Sequence, residues 1–464
     1  MKDVNLKMKK SGFFRDVDIV GGPIIKSMII YTIPLILTNV LQFLYNAVDV
    51  MVVGNFASGG AVAAVGATTS IINLVVNVVM GMSVGSSILI ARSIGEKNDT
   101  ETPKIINTSL ILSLSFGIVA LLVGEIFAMP MLRLTDCPDS IIDGAALYIR
   151  IYMLGMPAMA FYNYMSCVVR SVGDSRRPLI YLTVSGLANV SLNLIFVIVF
   201  SMDVAGVATA TVISQYLSAI LLFIRLTKLD GACRLTLSGV RMNFRYLLKI
   251  LRYGIPNMVA NLAFSVANVQ IQTGVNSYGD AAIAGYTAAN NIQGIFVSAF
   301  TAAFAIMTST FVGENIGAGD RRRTLKVTFS SYAISFSCVT LSSLLCLLLR
   351  EPLLSLFVPN QPEAIAYGVI CNNYLVGTAF LLGIIVTNNQ LVQAFGFTTY
   401  QMVVSLICMC GFRMLWLAVV YPHFTTFECL MITYPLSWTL NVLFVIPLII
   451  YCLSAYRRGK DFKL

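Results

Sequence analysis

The chain has 464 residues, of which 57% are hydrophobic and only 11% charged, with a formal net charge of +10 at pH 7. Soluble domains carry about 25% charged residues, so the missing charged surface excludes a water-soluble multidomain enzyme. The ten cysteines sit mostly in apolar runs without ligand spacing, and the only histidine, His423, rules out chemistry built on histidine pairs. No metal site and no cofactor are expected.

Crossing a bilayer as a helix takes about 20 apolar residues. The basic opening MKDVNLKMKKSGFFR leads into a run too long for a signal h-region, so no cleavage is expected. That first run, 27–53, holds Pro34 near its start and Asp49 toward its far end. Proline removes a helix hydrogen bond and kinks the span, which makes Pro34 a hinge candidate. A carboxylate in hydrocarbon is costly, so Asp49 is a functional-site candidate. Runs 62–90, 105–128 and 144–168 follow, then 178–201 with Asn189 and Asn193 one turn apart on one face, and 204–225 with Thr211. The amide oxygens and the hydroxyl are hard ligands of the kind Na⁺ accepts. After a longer basic linker come 250–273, 281–311, 325–349, 364–392, 399–421 and 428–453. These twelve spans predict an all-α integral membrane protein. Tyr45, Asn163, Asn268, Tyr286, Phe296 and Arg413 are candidates for cavity walls; aromatic faces suit cationic ligands.

Twelve spans put both termini on one side. Of the 31 basic residues, 27 fall on that side, the exceptions being Arg133, Arg150, Arg350 and Arg413. By the positive-inside rule, both termini are cytoplasmic in a multi-pass plasma-membrane protein. The net charge is thus a topology signal and not a nucleic-acid footprint.

The chain also repeats itself. Tyr31, Pro34, Asn39 and Asn46 match Tyr253, Pro256, Asn261 and Asn268 at an offset of 222, and Gly95 matches Gly317 at the same offset. Each half has an even number of spans, so the halves are parallel repeats: two six-helix lobes around a central cavity, suited to alternating access. The expected division is an N-terminal lobe over 1–228, a cytoplasmic linker over 229–249 and a C-terminal lobe over 250–464.

Several stretches resemble the multidrug and toxic compound extrusion (MATE) transporters: VDVMVVG at Val48–Gly54, VGENIGAGD at Val312–Asp320, NVSLN in the fifth span and AGVATATVISQ at Ala205–Gln215. The resemblance covers essentially the whole chain. It implies a monomeric secondary antiporter, not an enzyme, that expels amphipathic, often cationic compounds in exchange for Na⁺ or H⁺. It further implies cation coupling at Asp49, with Asn189, Asn193 and Thr211 beside it. No GxxxxGK[ST] run is present, so ATP is not the energy source within the chain. The alternative is a flippase for a lipid-linked saccharide of the same superfamily; such proteins line the cavity with several cationic residues, and only Arg413 qualifies clearly here. An offset of 223 pairs Arg413 with Val190, next to Asn189. A fixed positive charge is therefore expected in the C-terminal lobe where the other lobe takes a mobile cation. Asp49 aligns with Gln270 or Ile271, neither of which is an acid, so coupling is expected in the N-terminal half alone.

Overall fold

The computed structural model describes residues 17–56, 59–134, 137–236, 239–359 and 361–460; the side chains of residues 46–51, 53–56, 59–63, 70 and 134 fall outside the description. All regular structure among the described residues is helical. The first half runs α1 (Ile24–Phe56), α2 (Gly59–Gly95), α3 (Thr102–Leu134), the bent pair α4 (Asp139–Met153 and Met156–Ser171), α5 (Arg176–Val199) and α6 (Asp203–Thr227). The second half runs α7 (Phe244–Asn276), α8 (Asp280–Gly317), α9 (Arg321–Leu348), the bent pair α10 (Pro362–Leu375 and Phe380–Ala394), α11 (Thr398–His423) and α12 (Phe427–Arg457).

Nine of these helices are long and apolar enough to cross a membrane singly, and the two bent pairs bring the number to eleven. The twelfth, α7, has 33 residues. Its Asn257, Asn261, Asn268, Gln270 and Gln272 lower its hydropathy. The fourth and tenth spans are not continuous as the sequence suggests. They bend by 43° and 46°, at Gly155 ahead of Pro157 and at Gly377, where a helix ladder is cheaply interrupted. The seventh span starts earlier than expected, at Phe244, where the Asn243 side chain caps the helix by accepting from the Arg245 amide at 3.0 Å.

Two hydrophobic cores mark the lobes, and α1 and α7 each serve both. The N-terminal core gathers α2–α6 and also Tyr246, Ile250 and Tyr253 from the start of α7. The C-terminal core gathers α8–α12 with Ile271 and Val275 from the far half of α7, and takes Met28, Tyr31 and Leu35 from the start of α1. Each lobe thus inserts the first turns of its leading helix into the other lobe, at the end of the molecule that carries the basic residues.

Glycine makes this crossing possible. A Cβ at Gly95 of α2 would overlap the Glu314 carbonyl of α8, and one at Gly317 of α8 would overlap the Arg92 carbonyl of α2. The two repeat-related glycines let the helix backbones touch. Ahead of α1, the strap Val17–Pro23 lies across the same end. Its Val17 amide donates to the Gly173 carbonyl at 3.0 Å in the N-terminal lobe. Arg323 of the C-terminal lobe donates to the carbonyls of Ile19 at 3.1 Å and Gly22 at 2.6 Å, and to Asn315 Oδ1 at 3.0 Å. The basic end is therefore shut by backbone packing and tied by a strap.

Candidate functional site: a central cavity and two buried polar clusters

A cavity of about 460 Å³ lies between the lobes. Its walls come from Thr38, Asn39, Gln42 and Phe43 of α1, Met80, Ser83 and Ser87 of α2, Asn163 and Arg170 of α4, Ser298 and Ser309 of α8, and Gln390 of α10, among others. It is amphipathic: amides and hydroxyls alternate with Met, Phe, Leu and Ile. One to two turns farther toward the basic end, Tyr31 donates to Thr310 Oγ1 at 3.3 Å and packs edge-on against Phe311 at 5.3 Å, and the Gly95–Gly317 crossing follows. Nearer the cavity, Asn39 Nδ2 donates to the Ala299 carbonyl at 2.9 Å, tying α1 to α8.

A polar cluster lies inside the N-terminal lobe, where α1, α5 and α6 meet. Asn193 Nδ2 donates to Asn189 Oδ1 at 3.3 Å, and Asn189 Nδ2 donates to Thr211 Oγ1 at 3.3 Å. Both asparagines are buried. The side chain of Asp49, on α1, lies outside the described residues. Directly after Asn193, α5 widens into a π-helical turn at Ile195–Val199, a feature frequent at functional positions.

The repeat-related cluster lies where α7, α11 and α12 meet. Arg413 on α11 is 0% exposed. Its Nε donates to Ser437 Oγ on α12 and its Nη1 to Asn268 Oδ1 on α7, both at 3.0 Å. The guanidinium lies 4.5 Å from the Tyr434 ring centroid and 5.7 Å from that of Phe264. Tyr434 in turn shares a 2.7 Å hydrogen bond with Tyr286 of α8. Among the described residues no carboxylate pairs with Arg413, and its Nη2 has no hydrogen-bond partner. Burying an ion costs several kcal/mol. Two charge-assisted hydrogen bonds at about 1.5–3 kcal/mol each and a desolvated ring stack at about 2 kcal/mol are of the size needed to offset it. Here too π-helical turns flank the residue, at Leu406–Gly411 and Trp416–Val420.

The sequence model of one family, MatE, matches the chain twice, over residues 34–195 and 256–419. The chain belongs to the MatE family. The two matches begin 222 positions apart, the offset of the internal repeat. Among curated relatives of this MatE chain, "Probable multidrug resistance protein YoeA" of Bacillus subtilis is 28% identical over 90% of this chain and 92% of its own length. "Probable multidrug resistance protein NorM" of Thermotoga maritima is 25% identical over 82% of each. Solved structures share the fold. An outward-facing MATE multidrug transporter matches with a TM-score of 0.86 at 20% identity, covering 97% of this chain and 100% of its own. A MATE transporter in complex with MaL6 matches with 0.86 over 96% of this chain and 99% of its own. Twelve helices in two parallel six-helix lobes around a cavity are thus the MatE architecture of this membrane transporter.

Of the residues expected on the cavity of this MatE protein, the structure places Asn163 there and the others elsewhere. Tyr45 turns into the N-terminal lobe, its hydroxyl 3.4 Å from the Thr183 carbonyl and its ring against Gly186, where α5 leaves room. Asn268, Tyr286 and Arg413 are committed to the buried α7–α11–α12 cluster, where a lone charge needs every polar partner. Phe296, whose carbonyl accepts from Ser342 of α9, is not among the residues that line the cavity, although Ser298 two positions on is. Pro34 is buried inside α1 with its carbonyl accepting from Thr38 Oγ1 at 2.7 Å, and Thr38 lines the cavity. Sequence reasoning missed Arg170, which counts as a basic loop residue by position but sits in the last turn of α4 on the cavity wall. It also missed Asn39, Gln42 and Gln390, amides inside apolar runs and so the signal that pointed to them.

Proposed function

We propose that this transporter is a secondary antiporter that expels amphipathic compounds, cations among them, in exchange for Na⁺ or H⁺. The observation that carries the reading is the amphipathic cavity between two lobes, shut at the basic end, beside a buried cluster of hard oxygen donors at Asn189, Asn193 and Thr211. The fold likeness to an outward-facing multidrug transporter and the names of the sequence relatives support it. With the basic end cytoplasmic, both termini lie inside the cell, and a shut basic end fits a conformation that releases substrate outward. Cation entry at Asp49 and its neighbours favours that conformation; substrate and cation then disfavour each other's binding by linkage. Pro34 lets α1 change shape between the two loadings. The chain acts as a monomer, with lobes over 1–228 and 244–464 joined by a linker over 229–243, shorter than expected because α7 begins at Phe244.

The flippase alternative expects several cavity cations. Among the lining residues described, Arg170 alone is charged, which favours the antiporter. Purified protein in liposomes, with Na⁺ and pH gradients imposed separately, tests the proposal. Dye efflux should follow one gradient, and efflux that follows neither removes antiport. Movement of a lipid-linked saccharide in place of dye would establish the flippase instead.

A further inference from the structure

We infer that Arg413 is a tethered cation that permanently fills, in the C-terminal lobe, the position an exchangeable cation takes in the N-terminal lobe, leaving one exchangeable site per transport cycle. The inference rests on the antiport reading for what happens in the N-terminal lobe; its structural basis is independent of it.

The two clusters occupy repeat-related places. The N-terminal one is built from α5 and α6, the C-terminal one from their counterparts α11 and α12 six helices on, with α7, the counterpart of α1, added. Asn268 is the match of Asn46 and Arg413 the match of Val190, beside Asn189. In the N-terminal lobe the polar side chains hydrogen-bond to one another with no fixed cation among them, Asn193 Nδ2 donating to Asn189 Oδ1 and Asn189 Nδ2 to Thr211 Oγ1, each at 3.3 Å. In the C-terminal lobe the corresponding helices aim their oxygens at a guanidinium instead: Ser437 Oγ and Asn268 Oδ1 each accept from it at 3.0 Å. The Ser437 hydroxyl spends its own proton on the Tyr434 carbonyl at 2.9 Å, so its lone pairs remain for the cation.

A purely architectural arginine in a membrane bundle would be expected on backbone carbonyls or against a carboxylate. Among the described residues Arg413 has neither. Its partners are neutral side-chain oxygens on two other helices and aromatic faces, the donor set that a bare cation would choose. A guanidinium on a helix cannot leave and is not deprotonated in proteins. The lobe that holds it is therefore always in the cation-loaded arrangement, with α7, α11 and α12 drawn together. The other lobe alternates. Arg413 is thus a positioning residue: it holds three helices in register and touches neither substrate nor the exchanged ion.

The test exchanges the tethered cation for a free one. Thermal unfolding is followed on the full-length protein in detergent, in the Asp49→Asn background so that the N-terminal site contributes nothing. Asp49→Asn alone should show a Tm that Na⁺ leaves unchanged. Adding Arg413→Gln with Asn268→Asp should produce a Tm that rises by several degrees on adding Na⁺ or on acidification beyond the Asp49→Asn control, since a ligand that binds only the folded state stabilises it. In liposomes, Arg413→Lys should keep coupled efflux, and Arg413→Gln should lose at least tenfold. The pair Arg413→Gln/Asn268→Asp should regain efflux with a steeper cation dependence, its Hill coefficient moving from 1 toward 2. Wild-type efflux by Arg413→Gln, or a charge exchange that creates no new cation dependence in either assay, overturns the inference. Should Arg413→Gln alone not fold, recovery of folded protein by the exchanged pair in Na⁺ or acid decides for it, and no recovery decides against it. Failure of the antiport reading is seen separately, as wild-type efflux indifferent to both gradients, and leaves the unfolding result standing.

Discussion

The two lobes share a topology and differ in what they put at their centres. In the N-terminal lobe, neutral amides and a hydroxyl of α5 and α6 are chained by hydrogen bonds, Asn193 donating to Asn189 and Asn189 to Thr211, each at 3.3 Å. Where α7, α11 and α12 meet, a fully buried guanidinium bridges the other two helices. A duplicated fold supplies two equivalent pockets, and filling one with a fixed charge turns a symmetric scaffold into a device with one moving part. The difference teaches that a repeat is informative at the positions where it breaks.

The largest effect should come from Asp49→Asn. Ion-driven efflux should disappear with expression and dye binding retained, because the proposed exchange site would lose its carboxylate. Gradient-driven dye efflux in liposomes reads this, and wild-type rates would remove Asp49 from coupling. The contrast sharpens with Gln270→Ala in the other lobe. Gln270 has a buried Oε1 without a partner, so its loss should leave coupling unchanged. If it uncouples as fully as Asp49→Asn, the asymmetry between the lobes is wrong.

Next comes the seal. Gly317→Val places a side chain into the Arg92 carbonyl, and overpacking of this kind costs about 1–3 kcal/mol. Efflux should fall strongly because the closed form is disfavoured, a change visible as a longer distance between spin labels placed on the two lobes at the basic end. Arg323→Ala should act in the same direction but less. It removes three hydrogen bonds to the strap and to Asn315, and contacts to a charged donor are worth about 1.5–3 kcal/mol each before solvent screening. A several-fold drop in efflux with partial rescue by Arg323→Lys is expected.

The smallest effect concerns Cys233, in the linker outside the spans. Burial, with smaller contributions from Glu314 and Asp99, pushes its thiol up to about 11. Because the thiolate is the reactive form and the shift is upward, maleimide labelling should be slow at neutral pH and speed up as pH rises toward that value. Gly317→Val should speed it at neutral pH by opening the end at which Cys233 lies. Equal rates in the two proteins would break the link between seal and linker.

Most of the architecture is legible from the sequence, because run length, charge placement and the 222-residue offset are strong, redundant signals. The bends in α4 and α10 escaped because hydropathy averages over a break. The cavity walls were harder. Which face of an apolar helix meets the other lobe depends on packing between lobes, and a periodicity in Leu, Ile and Val does not distinguish lipid from protein. Aromatic residues such as Tyr45, Tyr286 and Phe296 therefore misled, while Asn39, Gln42 and Gln390 held the better signal: a polar side chain in hydrocarbon needs water or a partner. Arg413 was legible as an anomaly, but its partners Asn268 and Ser437 became visible only once three distant helices were brought together.

The crossing of α2 and α8 at Gly95 and Gly317 has a mechanical consequence. Backbone laid against backbone with no side chain between is held chiefly by dispersion, and a radial gap of 0.5–1 Å already forfeits a quarter to a half of such attraction. The joint therefore has almost no elastic range: it is either in contact or released. A closure of this type behaves as a latch with a short throw. Small tilts of the lobes are resisted until the surfaces part, after which resistance falls to the strap and its hydrogen bonds to Gly173 and Arg323.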